Sequence, residues 1–263
     1  PEIARRLPVF STASAFRMEA DVPLIVAGVN PEQAPLVEVQ RKKRGWKGFV
    51  VPIPNCTVTG LAVVLKALDL KFGVKNVVMT SMQALSGAGR SPGVIGLDIL
   101  DNIIPFISGE EEKVQKETGK ILGSLKGGRI AFHPLLVSAT CTRAAVLDGH
   151  FETVSVELGR AASPEAVAKT LASFRPRGGS GLPTMPEFMI RVHSDLFRPQ
   201  PRLDRNAGGG MVTSVGRIRP DLSFEVIDRE KEMVRLGSGG LDGKALTQEA
   251  MAAALQAFSR FRR

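Results

Sequence analysis

The chain has 263 residues, of which 43% are hydrophobic and 23% charged, and this composition excludes a mainly disordered protein. Its 2 cysteines exclude a disulfide-stapled scaffold, and no run of about 18 apolar residues predicts a membrane-spanning helix. No leader-like pattern of charged and then apolar residues opens the sequence, so we expect a cytoplasmic protein of one or two domains. The chain starts at Pro1 instead of Met, which leads us to expect a fragment or a trimmed product.

The net charge of +9 is spread along the chain. The densest basic run, residues 41–44 beside Trp46, is typical of a solvated helix end and does not by itself indicate a nucleic-acid interface. We therefore expect the scattered Arg and Lys side chains to serve a small anionic substrate, with neither nucleic acid nor a membrane as partner.

Hydrophobic periodicity and turn residues divide the chain into alternating strands and helices. Asn30, Ser108 and Ser163 are the expected N-caps, and Glu111 would complete a capping box with Ser108. This alternation predicts an α/β fold with a mostly parallel or mixed sheet. In chain order we predict a strand at 22–27, a helix at 31–44, a strand at 48–54, a helix at 60–70, a strand at 76–82, a Gly-rich loop at 83–96, a helix at 109–122, strands at 135–143 and 152–158, a helix at 163–174, strands at 209–218 and 222–227, and a helix at 247–262.

Cys56 is the strongest candidate for a nucleophile. It stands between a predicted strand and a predicted helix, at a turn that can expose a side chain above a sheet edge. A helix N-terminus favours the thiolate through its dipole and its free N–H groups. A buried structural cysteine remains the alternative for Cys56, and it is the favoured interpretation of Cys141 inside a predicted strand.

A cysteine nucleophile needs a base, and the chain offers His133, His150 and His193. His150 enters a predicted strand, where backbone can hold the ring on both sides. His133 precedes a proline and His193 lies among polar residues, which is typical of surface histidines. Composition alone does not choose firmly among the three.

The segment around Cys56 reads Pro-Asn-Cys-Thr-Val-Thr-Gly-Leu and resembles the active-site cysteine segment of aspartate-semialdehyde dehydrogenases, most closely the archaeal and fungal branch. The resemblance covers roughly residues 10–220, and several motifs in a fixed order make it specific. Further matching segments follow in the family's order at residues 81–89, 97–105, 109–113, 117–122, 143–150, 198–205 and 215–219.

The resemblance implies an enzyme of amino-acid biosynthesis that converts β-aspartyl phosphate reversibly into aspartate semialdehyde and phosphate, with NADPH as hydride donor. Cys56 would attack the acyl phosphate and form a thioester. His150 would act as general acid and base, and Gln83 would orient the reacting centre.

The same resemblance assigns the substrate contacts. Arg143 would bind the substrate carboxylate, for which a planar bidentate fork is suited. Glu110 would bind the amino group, and Lys113, one helical turn later, would face the phosphate. Asn55 and Arg17 are further candidates for phosphate contact.

For the cofactor, NADP, the resemblance points to the binding residues Ser11, Thr12, Ser86, Gly87 and Gly89. We assign no metal ligands. The resemblance also implies a homodimer or homotetramer built through the catalytic domain.

In fold, the resemblance implies a truncated Rossmann-like nucleotide-binding part, followed by an α+β catalytic and dimerisation domain with a mixed sheet. The expected boundaries are 1–57 for the remnant of the nucleotide-binding domain, 58–220 for the catalytic and dimerisation domain, and 221–263 for a C-terminal return segment. The predicted helix 247–262 would pack back on the remnant.

The sequence departs from the family in the cofactor half. No Gly-rich phosphate loop precedes Ser11, and Thr12 and Phe16 stand where the family usually has Asn and His. Two other interpretations therefore remain: an acyl-CoA reductase of the malonyl-CoA type on the same scaffold, and a truncated non-catalytic subunit that binds a family partner. The retention of Glu110 and Arg143 favours the amino-acid phosphate.

Overall fold

The computed structural model describes residues 2–88, 95–178, 182–221 and 255–259. Its strands and helices are, in chain order, β1 (Pro8–Ser11), α1 (Leu36–Arg44), β2 (Phe49–Pro52), α2 (Cys56–Phe72), β3 (Val74–Gln83), α3 (Ile95–Ile99), β4 (Ile103–Ile104), α4 (Glu110–Leu122), β5 (Ser124–Lys126), β6 (Arg129–Ala131), β7 (Leu136–Ala144), β8 (His150–Leu158), α5 (Pro164–Ala172), β9 (Ile190–His193), α6 (Pro201–Asp204), β10 (Thr213–Gly216) and β11 (Leu255–Ser259).

A seven-stranded sheet organises most of these elements, in the order β4-β7-β3-β8-β11-β10-β9. β3 is parallel to β7 and antiparallel to β8, so the sheet is mixed. Separately, β1 and β2 form a parallel pair, and β5 and β6 form a short antiparallel hairpin. The predicted α/β architecture with a mixed sheet is confirmed.

Helix α2 lies at the centre of the core. Its apolar residues occupy most faces, and Leu61, Leu65 and Leu68 are at most 1% exposed. The helix packs against α4, α5 and the large sheet. Within the described ranges, no helix has the length and apolar character needed to cross a membrane.

The predicted strand at 22–27 is wrong, although Val22, Leu24 and Val26 are buried. Two side chains form hydrogen bonds with the backbone N–H and carbonyl groups that a neighbouring strand would otherwise bind. Asn30 donates to the carbonyl oxygen of Leu24 and accepts from the N–H of Val26, while Gln33 accepts from the N–H of Leu24. The segment is therefore a buried loop with local polar partners.

Two of the three predicted N-caps are also wrong. The side chain of Asn30 is committed to Val26, and the expected helix 31–44 splits into a 3₁₀ turn and α1, which starts just after Pro35. Helix α4 begins after Gly109 at φ 66°, without a capping bond from Ser108. The third cap is confirmed, because Ser163 Oγ accepts from the N–H of Ala166 at 3.2 Å.

The C-terminal segment differs from its prediction as well. Residues 255–259, expected inside a helix at 247–262, form β11 and pair antiparallel with both β8 and β10. Pairing on both edges outweighs the helix propensity of the Ala-rich sequence. The rest of that helix and the strand predicted at 222–227 lie outside the described residues.

Candidate active site

Cys56 is the first residue of α2, directly after its N-cap Asn55. The Asn55 side-chain oxygen accepts from the N–H of Val58 at 3.2 Å, which fixes the turn that presents the cysteine. Burial, followed by the negative charge of Glu110, raises the pKa of the Cys56 thiol to about 11, although Arg143 opposes the shift. The helix N-terminus thus does not by itself generate a thiolate, contrary to the sequence-based expectation.

Glu110 is a buried carboxylate beside this turn. Its Oε1 accepts from Asn55 Nδ2 at 2.7 Å and from Gln83 Nε2 at 3.2 Å, and its Oε2 lies 3.4 Å from Lys113 Nζ. Burial acts to raise the pKa of Glu110, but the hydrogen bond from Asn55 and the charge of Lys113 hold it below its ordinary value. Glu110 is therefore ionised and available to a cationic group.

Gln83 and Arg143 come from the carboxyl ends of the parallel strands β3 and β7, where they are paired in register. Arg143 Nη1 donates to the carbonyl oxygen of Ala84 at 3.1 Å and to Gln83 Oε1 at 3.5 Å, and Nη2 donates to Gly87 O at 3.3 Å. These contacts hold the guanidinium plane beside Glu110 and Cys56, which both act on it electrostatically.

His150 is the first residue of β8 and is 1% exposed. Its Nδ1 accepts from the N–H of Ala84 at 3.0 Å, so the neutral ring carries its proton on Nε2. Burial and the positive charge of Arg143 lower the pKa of His150 to about 4. Gly87 packs directly on the ring, since a Cβ added there would lie 2.9 Å from His150 Cε1 and 3.0 Å from Arg143 Nη1.

The other two histidines have different partners. His133 Nε2 lies 3.1 Å from Asp69 Oδ1, and His193 Nε2 lies 3.3 Å from Asp204 Oδ1. His150, by contrast, lies with Gly87 and Arg143, and its role as the base stays a prediction.

Arg17 is buried, and Glu117 connects it to the turn that carries Cys56. Its Nη1 donates to Glu117 Oε1 at 2.9 Å and its Nη2 to the carbonyl oxygen of Thr12 at 3.0 Å. Glu117 Oε2 in turn accepts from the backbone N–H of Asn55 at 2.7 Å. A contact of Arg17 with phosphate stays a prediction.

The residues predicted for the cofactor are placed in two groups. Ser11 ends β1 and Thr12 follows it, at the carboxyl end of the β1–β2 pair. Ser86 donates from its hydroxyl to Asp148 Oδ1 at 2.9 Å, beside Gly87. Gly89 lies outside the described residues.

The sequence analysis assigned no role to Glu117, although this residue begins the family-matching segment 117–122. The available signal was spacing: Glu117 follows Glu110 by seven residues, so both occupy one face of α4. The sequence analysis also assigned no role to Asp148, which lies two residues before His150 and accepts a hydrogen bond from Ser86.

Together, a carboxylate and a guanidinium act on the thiol, and a buried neutral imidazole is influenced by the same two charges. A substrate with both an amino and a carboxylate group finds a partner for each, next to a nucleophile. The arrangement suits acyl transfer to sulfur.

A protein-family model described as "Semialdehyde dehydrogenase, dimerisation domain" matches residues 65–228. The aspartate-semialdehyde dehydrogenase of Archaeoglobus fulgidus is 52% identical over 245 residues, which cover 92% of this chain and 70% of that protein. The chain belongs to the aspartate-semialdehyde dehydrogenase family. The family predicted from the motifs is thereby confirmed.

Other members of the family agree. The enzyme of that name from Methanothermobacter thermautotrophicus is 44% identical over 226 residues, covering 86% of this chain and 65% of its own length. A crystal structure of aspartate semialdehyde dehydrogenase with NADP from Candida albicans matches with a TM-score of 0.75 and 36% identity, covering 97% of this chain and 66% of that one. The chain spans about two thirds of the length of these relatives.

Proposed function

We propose that this protein catalyses the reversible, NADPH-dependent reductive dephosphorylation of β-aspartyl phosphate to aspartate semialdehyde. The observation that carries the proposal is a pair of opposite charges beside the thiol: Glu110 binds Asn55, the residue before Cys56, and Gln83 links Glu110 to Arg143. They match the amino and carboxylate groups that distinguish an aspartyl substrate from a simple acyl-CoA. Lys113, at the solvent edge of Glu110, adds positive charge for the phosphate.

In the proposed acyl transfer, Cys56 Sγ forms a bond to the acyl carbon while the bond from that carbon to the phosphate oxygen breaks. The thiol proton ends on the leaving phosphate, which leaves an aspartyl thioester. In this proposal His150 transfers protons at the reacting centre. Because its Nδ1 accepts from Ala84, the neutral ring carries its N–H at Nε2, which would donate to the substrate's carbonyl oxygen. Gln83, between Glu110 and Arg143, keeps the two substrate-binding groups in place.

NADP is the cofactor we propose, since a relative's crystal structure is described with it. Residues 11–15 fit one side of such a site, because small side chains follow β1 at the carboxyl end of a parallel strand pair. Gly87 fits the other side, because without a Cβ its backbone can lie close to His150 and Arg143. When bound, NADPH supplies the hydride that reduces the thioester.

The domain division at 1–57, 58–220 and 221–263 is part of the proposal, with β11 in place of helix at 255–259.

We further propose that the chain forms a homodimer or homotetramer through the large sheet. In-register pairing of β3 and β7 puts the exposed side chains of Val78 and Leu136 on one face. Leu136→Asp should lower the particle mass in light scattering, whereas Leu203→Asp, exposed on α6, should not; equal masses for all three proteins would contradict this interface.

The activity is tested by following NADPH absorbance with aspartate semialdehyde, phosphate and NADP⁺. We expect turnover that depends on phosphate and disappears in Cys56→Ala. Absence of turnover while Cys56 still reacts with iodoacetamide would contradict the proposed activity and favour a non-catalytic subunit. Turnover with coenzyme A in place of phosphate would favour an acyl-CoA reductase.

A further inference from the structure

Asn55, the residue before the nucleophile, is held twice by one helix. Its side-chain Nδ2 donates to Glu110 Oε1 at 2.7 Å, and its backbone N–H donates to Glu117 Oε2, also at 2.7 Å. Both carboxylates belong to α4, two helical turns apart. The two bonds fix both the position and the rotation of the residue that caps α2.

Glu117 is poorly placed for direct contact with a substrate, because the buried residues Arg17 and Asn55 bind its two oxygens at 2.9 Å or less. Glu110 differs, since its Oε2 meets the part-exposed Lys113 at 3.4 Å. Oε1 accepts from Arg17 and Oε2 from Asn55. A buried carboxylate persists only where paired donors compensate its lost hydration, so both contacts contribute to keeping it there.

The segment that carries Arg17 is itself fixed against α4. Lys120, one turn after Glu117, donates from Nζ to the carbonyl oxygens of Arg17 at 2.7 Å and of Glu19 at 2.8 Å. Phe16, just before Arg17, has a φ of 71°, a conformation that a bulky residue adopts only when its surroundings hold it. Arg17 therefore reaches Glu117 from a rigid support.

From this geometry we propose that Glu117 is a positioning residue, which sets the place of Cys56 by fixing the backbone of Asn55 while Arg17 holds Glu117 in turn. This inference rests on the proposed function, in which Cys56 is the nucleophile. Its effect is on geometry: besides burial, the groups that shift the pKa of the thiol are Glu110, the backbone N–H groups of Thr57 and Cys56, and Arg143, and Glu117 is not among them. A displacement of about 1 Å at a reacting group can lower a rate about 100-fold.

The test compares Glu117→Gln and Glu117→Met with Glu112→Gln, an exposed glutamate of the same helix. Gln keeps one oxygen that can accept from Asn55, whereas Met has no acceptor. We expect kcat of the phosphorylating reaction to fall about 10-fold in Gln and about 100-fold in Met, with KM for the semialdehyde nearly constant. Glu112→Gln should match wild type.

Two further readouts do not require turnover. Amide hydrogen exchange at Asn55 should become more than about 10-fold faster in Glu117→Met, while exchange at Leu65 in the core of α2 should not change. Alkylation of Cys56 should become faster by the same factor at every pH from 7 to 9.5 and still show no plateau, because the thiol is less well held but its electrostatic neighbours are unchanged.

Each outcome decides a separate claim. If wild type turns over and both Glu117 variants keep its kcat, the positioning role is overturned. If wild type does not turn over, the proposed function fails, and unchanged exchange at Asn55 or unchanged alkylation of Cys56 then overturns the positioning role independently. A plateau of the alkylation rate below pH 9.5 in a Glu117 variant would contradict it too, since it would make the effect of Glu117 electrostatic.

Discussion

The Nδ1 atom of His150 accepts a hydrogen bond from the backbone N–H of Ala84 at 3.0 Å. This bond fixes the neutral ring as the Nε2–H tautomer and holds it at the end of β3. Because β3 also carries Gln83, the orientation of the imidazole is coupled to a residue that we propose orients the reacting centre.

His150→Gln should lower kcat by about 100-fold or more, since it removes the proton donor and acceptor at the reacting centre. Circular dichroism should show a folded protein. His133→Gln is the matched control, because His133 lies against Asp69 and should leave turnover unchanged. Steady-state kinetics of both variants provide the measurement, and full activity in His150→Gln would remove its assigned role.

His150 should also make the protein less stable in acid. Its pKa is about 4 in the folded state and near 6.5 in the unfolded state. Between these two pH values the unfolded chain therefore binds a proton at His150 that the folded chain does not bind. The stability contribution is fully present above about pH 6.5 and is lost as the pH falls to about 4, a change of about 3 kcal/mol. Urea unfolding at pH 7 and pH 4.5 checks this, and an equal loss in His150→Gln would refute the assignment.

The Cys56 thiol should react slowly at neutral pH. With its pKa at about 11, the alkylation rate with iodoacetamide should rise about tenfold per pH unit from pH 7 to 9.5 without a plateau. Peptide mass spectrometry separates Cys56 from Cys141, which is 0% exposed and should stay unmodified in the folded protein. A plateau below pH 9 would mean that the free protein already stabilises the thiolate.

Gly87→Ala should impair catalysis more than stability. The added Cβ would lie 2.9 Å from His150 Cε1 and 3.0 Å from Arg143 Nη1, so the ring or the guanidinium has to move. We expect kcat/KM to fall by about 10- to 100-fold. Gly96→Ala is the control, since its Cβ would meet only Leu85 at 3.9 Å; similar kinetics for the two variants would argue against close packing at the site.

Arg143→Lys keeps the charge but loses the planar fork. An ammonium cannot donate simultaneously to Ala84, Gly87 and a substrate carboxylate with the same geometry. We expect KM for aspartate semialdehyde to rise about 10- to 100-fold, the equivalent of about 1.5–3 kcal/mol for a hydrogen bond to a charged group. Arg205→Lys, near Asp148, serves as a comparison for general effects of the substitution, and equal KM values in the two variants would contradict the role of Arg143.

Local patterns were sufficient for part of the site. A strand followed by prolines and then an apolar helix placed Cys56 at a strand-to-helix turn, because those signals act over a few residues. The helix was predicted from residue 60, but α2 begins at Cys56 with Asn55 as an N-cap that was not predicted. The three-residue spacing of Glu110 and Lys113 likewise predicted that they lie on one face of the helix, where the structure shows them as an ion pair.

Other features depend on contacts between distant parts of the chain. The bond between Glu117 and Asn55 joins residues 62 apart, and Ala84 meets His150 across 66 positions. The pKa of Cys56 was misjudged for the same reason: helix position favoured a thiolate, whereas burial and Glu110, which only the fold brings near, raise it. Short-range rules contain no information on these pairs.

The central claim, that Cys56 accepts the acyl group, can be measured without cofactor. The chain is incubated with β-aspartyl phosphate alone, and peptide mass spectrometry locates any adduct. The account predicts one aspartyl group on Cys56, released by hydroxylamine and absent in Cys56→Ala. No adduct on Cys56, or the same adduct in Cys56→Ala, would contradict it.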